Sequence, residues 1–303
     1  MPSLLSPSFL IPLFCALLYP LGTLLIKRSL DANAEADGKA VDVWSLTAIN
    51  YWMMALVFLP AVVLDGNPIP WGLWYQPALM GLFSFMGQAF AFKAISTGDL
   101  TIATPALGSK VLIVALLTVI LLRQSVPVPW WIAAACSFAA VYFLQAGVRS
   151  ARRKVMATLS YALMTATCFA LGDVLIQKWS PQWGVFHFVP AFALFSAVYS
   201  LALLPLMRKP RLRFSRTAWR WLLWGSAVLS VQSLLLTTVI GIFGKVTQAN
   251  IVFSSRGLWN FLLIWFGGNW FANREREAGS EVMLYRLAGA ALMFTAIVLA
   301  SLR

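Results

Sequence analysis

Ten apolar stretches, most close to twenty residues long, constrain this chain more than any motif in it. They run Phe9 to Ile26, Ser45 to Leu64, Gly72 to Ala94, Leu100 to Leu122, Pro129 to Gly147, Ala157 to Gln177, Phe186 to Met207, Ala218 to Thr238, Thr247 to Trp270 and Val282 to Leu302. A helix needs about 20 such residues to cross the hydrocarbon of a bilayer. Inside that hydrocarbon every backbone N–H and C=O must be bonded within the segment, so runs of this kind are read as helices. With 60% hydrophobic and only 11% charged residues, little is left for a soluble domain. The longest polar stretch, Lys27 to Trp44, is too short to bury a core of its own. The fold class is therefore an all-α polytopic membrane protein with ten transmembrane helices.

Two connections, Ile95 to Asp99 and Val239 to Val246, are short enough to predict tight antiparallel hairpins between the third and fourth and the eighth and ninth spans. Tryptophans gather near span ends (Trp71, Trp74, Trp130, Trp131, Trp179, Trp183, Trp219, Trp270), where an indole rests at headgroup level. The first span lacks a positive segment before it and carries Lys27 and Arg28 after it, so it is expected to be retained and not cleaved as a signal peptide. Cys15, Cys136 and Cys168 all fall inside spans, which suggests neither a disulfide framework nor a metal site.

Charge fixes an expected orientation. Counted with Arg220 and Arg286 at the starts of the spans that follow them, the loops after spans 1, 3, 5, 7 and 9 carry 16 of the 23 Lys and Arg residues, whereas the termini and the other loops carry four. The positive-inside bias places the first set in the cytoplasm and both termini outside it. The basic run Arg208 to Arg220 reads as part of this signal, and no nucleic-acid partner is expected. One histidine, scattered cysteines and no glycine-rich phosphate loop also argue against an enzyme, a metal or a cofactor.

The chain matches itself. Tyr19 to Arg28 (YPLGTLLIKR) aligns without a gap on Phe169 to Lys178 (FALGDVLIQK), and Gly98 to Lys110 (GDLTIATPALGSK) aligns on Gly244 to Arg256 (GKVTQANIVFSSR). The offsets, 150 and 146, describe a five-span unit duplicated once, residues 1–150 and 151–303. Five is odd, so the second copy crosses in the opposite sense. Such inverted repeats are a common basis of secondary transporters, with substrate near the midplane between the halves.

On these features the chain resembles the EamA-type drug/metabolite transporter superfamily: two five-span halves, a Lys or Arg ending the first span of each, the tight hairpin into the fourth span, and the ending RLAGAALMFTAIVL. It departs from the pattern at the ends of the fourth and ninth helices, where Leu121-Leu122-Arg123 and Gly267-Gly268-Asn269 lack the acid of an L-G-E-like ending. The resemblance implies a basket of helices 1–4 and 6–9 around a cavity, with helices 5 and 10 peripheral and able to form a homodimer. It also implies an integral protein of a bacterial inner membrane, and places anion-holding basic residues at the positions of Lys110 and Arg256.

The intramembrane polar residues say the same from their chemistry. Lys110 and Arg256 are both near mid-span and are repeat-equivalent. Two cations facing one low-dielectric cavity repel each other unless an anion lies between them, and ionisable groups in spans are functional by default. Arg256 offers a planar fork and Lys110 a point charge. Three roles are open to the one intramembrane acid, Asp173: counter-ion to either cation, proton-coupling carboxylate, or ligand for a substrate ammonium. Asn260 and Trp259 follow Arg256 on its helix, and Gln88 and Tyr19 are further candidates for substrate contact; each could equally serve an interhelical bond. The expected function is a secondary transporter, working by alternating access, of a small organic anion or zwitterion bearing a carboxylate or phosphate. The alternative is a flippase for an anionic lipid headgroup such as a polyprenyl phosphate.

Overall fold

The computed structural model describes residues 6–37, 43–97, 108–144, 155–207, 214–267 and 280–301, and every regular element among them is helical. We number the α-helices α1 (Pro7–Asp37), α2 (Val43–Phe58), α3 (Tyr75–Thr97), α4 (Lys110–Leu122), α5 (Val128–Leu144), α6 (Val155–Trp183), α7 (Val185–Ser200), α8 (Arg216–Phe243), α9 (Val246–Phe253), α10 (Arg256–Gly267) and α11 (Ser280–Ser301). Five segments among the described residues are long and apolar enough to cross a membrane: 7–33, 44–64, 156–183, 185–206 and 216–243. Shorter apolar helices cover parts of the fourth, fifth and tenth spans.

Helix ends follow local chemistry. Pro7 occupies the first position of α1, where a missing N–H costs nothing. Ser215 caps α8, its Oγ accepting from the Ala218 N–H at 3.1 Å. Gly244 ends α8 at φ 61°, and its N–H closes on Ile240 O at 3.0 Å. That leaves only Gly244 and Lys245 before α9 begins, so the eighth-to-ninth hairpin is as tight as expected. The third-to-fourth connection falls largely outside the described residues.

Among the spans that differ from expectation are the first, the sixth and the ninth. The first runs eleven residues past Ile26, because Lys27, Arg28, Leu30, Ala32, Ala34, Glu35 and Ala36 favour helix and α8 anchors the extension. Ser29 Oγ donates to Ala218 O at 2.8 Å, and Asn33 Oδ1 accepts from the Ser215 N–H at 2.9 Å. The sixth span likewise continues through Pro181 to Trp183. The ninth span is not one helix: α9 and α10 are separated by a turn at Ser254 and Ser255. Pro20 and Pro190, by contrast, sit inside continuous helices.

Packing comes in exchanged pairs. Helix α1 lies along α8 as α3 lies along α6; α2 touches α8 as α7 touches α3; α4 meets α6 as the α9–α10 pair meets α1. Of the other contacts, α2 with α7, α4 with α9 and α5 with α11 map onto themselves under the same exchange, whereas α6 with α8 has no counterpart of similar extent between α1 and α3. The second and seventh spans even finish alike, each in six residues of 3₁₀-helix, Leu59–Leu64 with Pro60 and Leu201–Leu206 with Pro205. Apolar lipid gives helices no hydrophobic reason to associate, so close approach depends on small residues. At the α1–α8 crossing Gly22 meets Gly225, and at the α6–α3 crossing Gly172 meets Met80.

Candidate functional site

Both intramembrane cations begin a helix. Ser109 precedes Lys110 at the start of α4, and Ser255 precedes Arg256 at the start of α10. Around Arg256 the backbone changes its bonding. Ser255 N–H donates to Val252 O, Gly257 N–H to Ser254 O and Leu258 N–H to Ser255 O, all i→i−3 bonds. A short 3₁₀ stretch inside a span is a frequent mark of a functional hinge. Apolar patterning hid this break, since serines interrupt no hydrophobic run.

The two cations meet different surroundings. Lys110 Nζ lies 2.7 Å from Asp173 Oδ2 on α6, with the side chains only 15% and 13% exposed. The contact is ionic, off the axis of a good hydrogen bond. Of the three roles open to Asp173, the geometry shows that of counter-ion, and to Lys110. Arg256 has no acid within ion-pair distance among the described residues. Its guanidinium instead lies 4.6 Å from the Tyr19 ring centroid and 4.8 Å from that of Phe253, the two rings themselves being edge-to-face at 5.9 Å.

The exchange of helices explains the difference. Asp173 on α6 aligns with Thr23 on α1. Helix α6 brings a carboxylate to α4, while α1 brings to α10 a hydroxyl that donates to Pro20 O at 2.9 Å. Tyr19, one turn before Thr23, takes up the cation. Stacking occupies the faces of a guanidinium and leaves its five in-plane N–H donors. No acceptor among the described residues takes them.

Of the other expected residues, Trp259 packs against the main core with Tyr19, and its indole N–H is buried without a partner. Asn260 lies on α10, but its side chain is outside the described residues. Gln88 sits on α3 beside Gly87, which faces Phe169 of α6; no contact brings it to Arg256. Sequence reasoning missed Phe253, although its place three residues before Arg256 on one helical face was a signal. It also missed three links at the opposite end of the spans from the basic loops. Thr118 Oγ1 lies 3.0 Å from Thr247 Oγ1, Gln177 joins Gln124 and the Val246 N–H, and Gln76 donates to Gln182.

This is an integral membrane protein whose polar groups are held inside a helical bundle. Residues 10–145 match the family model of the EamA-like transporter family. Among solved structures, the chain is similar to a protein crystal structure at TM-score 0.75 and 18% identity, over 98% of this chain and 99% of that one. At that identity the likeness shows the fold. No curated protein matches. The family match thus covers the first half of the chain, and the shared fold extends over all of it.

Proposed function

We propose that the protein is a secondary transporter of a small organic anion or zwitterion, working by alternating access, with Arg256 as the cation that receives the substrate's negative group. One observation carries the reading: Asp173 neutralises Lys110, while the residue aligned with Asp173, on the helix that packs against α10, is Thr23. An unneutralised guanidinium within a span is costly unless a ligand or water supports it. Its free in-plane donors suit a bidentate carboxylate. A phosphate ester carries closer to two charges at neutral pH, so a single unpaired cation favours the carboxylate of the two groups.

Tyr19 holds the guanidinium plane, and Trp259 and Asn260 are the next donors along α10. Gln88 is a more distant candidate, and Asp173 binds substrate only by releasing Lys110. Residues 1–150 and 151–303 act as two inverted copies, a reading supported by the exchanged helix pairs. In the proposed orientation both termini lie outside the cytoplasm of a bacterial inner membrane. The α5–α11 pair is the surface for a second copy.

Counterflow in proteoliposomes tests this directly. Arg256→Ala is expected to abolish exchange of a carboxylate substrate found by thermal-shift screening, with the purified variant retaining its helical content. Unchanged exchange would falsify the assignment of Arg256. Movement of a labelled polyprenyl phosphate between leaflets, with no solute exchange, would establish the flippase reading instead.

A further inference from the structure

The chain's lone histidine is not part of the site above. His187 lies in the first turn of α7, and its Nδ1 is 3.6 Å from Asp65 Oδ2, the side chains being 4% and 11% exposed. Asp65 follows the 3₁₀ end of the second span, so the contact ties the end of one span to the beginning of another. The carboxylate is held on its other side, Oδ1 accepting from both the Asn67 N–H and Nδ2. Gly184, at φ 77°, lies against it, and a Cβ there would overlap Oδ2. The His187 Nδ1 is buried without a hydrogen-bond partner, so the pair is close and incompletely engaged.

The helix exchange supplies a control within the molecule. Met207 follows the 3₁₀ end of the seventh span as Asp65 follows that of the second, both with extended backbone. The same offset, 142, carries His187 onto Ser45 in the first turn of α2. There Met207 packs with Ala48 and Leu203 against Trp44 and Phe85. Among the described residues, the α2–α7 contact thus shows a titratable pair on the side away from the basic loops and an apolar cluster on the other.

We propose that Asp65 and His187 form a protonation-sensitive latch that holds the second and seventh spans together at the end of the bundle away from the basic loops. The imidazolium form is attracted to the carboxylate by charge, whereas the neutral form can offer it no more than a single neutral hydrogen bond. Acidification on that side therefore holds this end shut, and rising pH releases it. Asp65 is the one acid within ion-pair distance of His187 among the described residues. On the neighbouring elements Lys178 of α6, Lys245 before α9 and Tyr75 of α3 are exposed. The comparison with Met207 and Ser45 rests on the inverted-repeat reading; the latch itself does not depend on substrate.

Two measurements on the full chain in lipid nanodiscs test it, neither requiring transport. With histidine isotopically labelled, the single imidazole is followed by NMR as pH is varied. Asp65→Asn is expected to change the imidazole resonances recorded at low pH, and an unchanged spectrum overturns the contact. Spin labels at Val63, on the end of the second span, and Pro181, at the α6–α7 corner, report opening. The distance distribution is expected to gain a longer component as pH rises, and this response is expected to vanish in both His187→Gln and Asp65→Asn. A response that persists in either variant, or is absent from the parent, overturns the latch. A failure of Arg256→Ala to affect exchange would leave both readouts unaltered, so the two proposals fail separately.

Discussion

Lys110 Nζ and Asp173 Oδ2 lie 2.7 Å apart between α4 and α6, and the residue aligned with Asp173 on α1, the helix that packs against α10, is Thr23. Among the described residues, one of the two aligned cations thus has an acid within ion-pair distance and the other has none.

Breaking the pair from one side is expected to cost more than removing it altogether. Taking away one member of a buried pair typically costs about 3–5 kcal/mol, because the other charge stays behind in low dielectric. Asp173→Ala should therefore lower the thermal midpoint of the purified protein clearly, and Lys110→Met combined with Asp173→Leu should recover most of the loss. Equal destabilisation by the single and double variants would show that the pair acts through packing and not through charge.

Installing the missing acid is the complementary experiment. Thr23→Asp is expected to give Arg256 the partner that Asp173 gives Lys110, abolishing substrate binding while leaving the fold intact. Tyr19→Phe keeps the ring beneath the guanidinium and should bind nearly as the parent does. Tyr19→Leu removes a cation–π contact worth about 0.5–2 kcal/mol, a loss of roughly three- to thirty-fold in affinity by calorimetry. Wild-type affinity in Thr23→Asp would place the substrate elsewhere.

The sequence made some of this legible and hid the rest for physical reasons. Spans show because lipid demands long apolar runs, and the duplication shows because Gly, Thr and Ser recur at fixed offsets. One acid against two cations foretold that only one could be paired. Which one depends on α6 lying against α4 while α1 lies against α10, a tertiary fact that no local pattern contains. The helical extension to Asp37 and the break at Ser254 and Ser255 were hidden for a related reason. Polar helix looks like loop in a hydropathy profile, and a serine turn inside an apolar run looks like helix.

The crossing of α1 and α8 sets a steric prediction. A Cβ on Gly225 would lie 3.0 Å from Gly22 O and 2.8 Å from Ile26 Cγ1, whereas one on Gly72 would meet nothing within 4 Å. A backbone oxygen cannot turn aside as a side chain can, so the helices must separate. Overpacking of this kind costs typically about 1–3 kcal/mol. Gly225→Ala should lower thermal stability and folded yield, while Gly72→Ala leaves both near the parent's values.

Gln177 carries the last prediction, because one side chain ties together three elements. Its Nε2 donates to Gln124 Oε1 at 2.8 Å just beyond α4, and its Oε1 accepts from the Val246 N–H at 2.9 Å. Val246 is the first residue of α9 and is 1% exposed. The first N–H groups of a helix have no partner within it, so here a side chain from α6 satisfies a buried donor that water cannot reach. Gln177→Leu keeps the bulk and removes both bonds. Leaving a buried donor unsatisfied costs about 1–3 kcal/mol, and the cost falls on the hairpin between α8 and α9. Hydrogen exchange at Val246 and Thr247 is therefore expected to accelerate roughly ten- to hundredfold, since each 1.4 kcal/mol is a factor of ten. Amides in the middle of α6 should keep their protection. Exchange at Val246 no faster than in the parent would mean that another acceptor holds that N–H and that Gln177 is not the clamp on the hairpin.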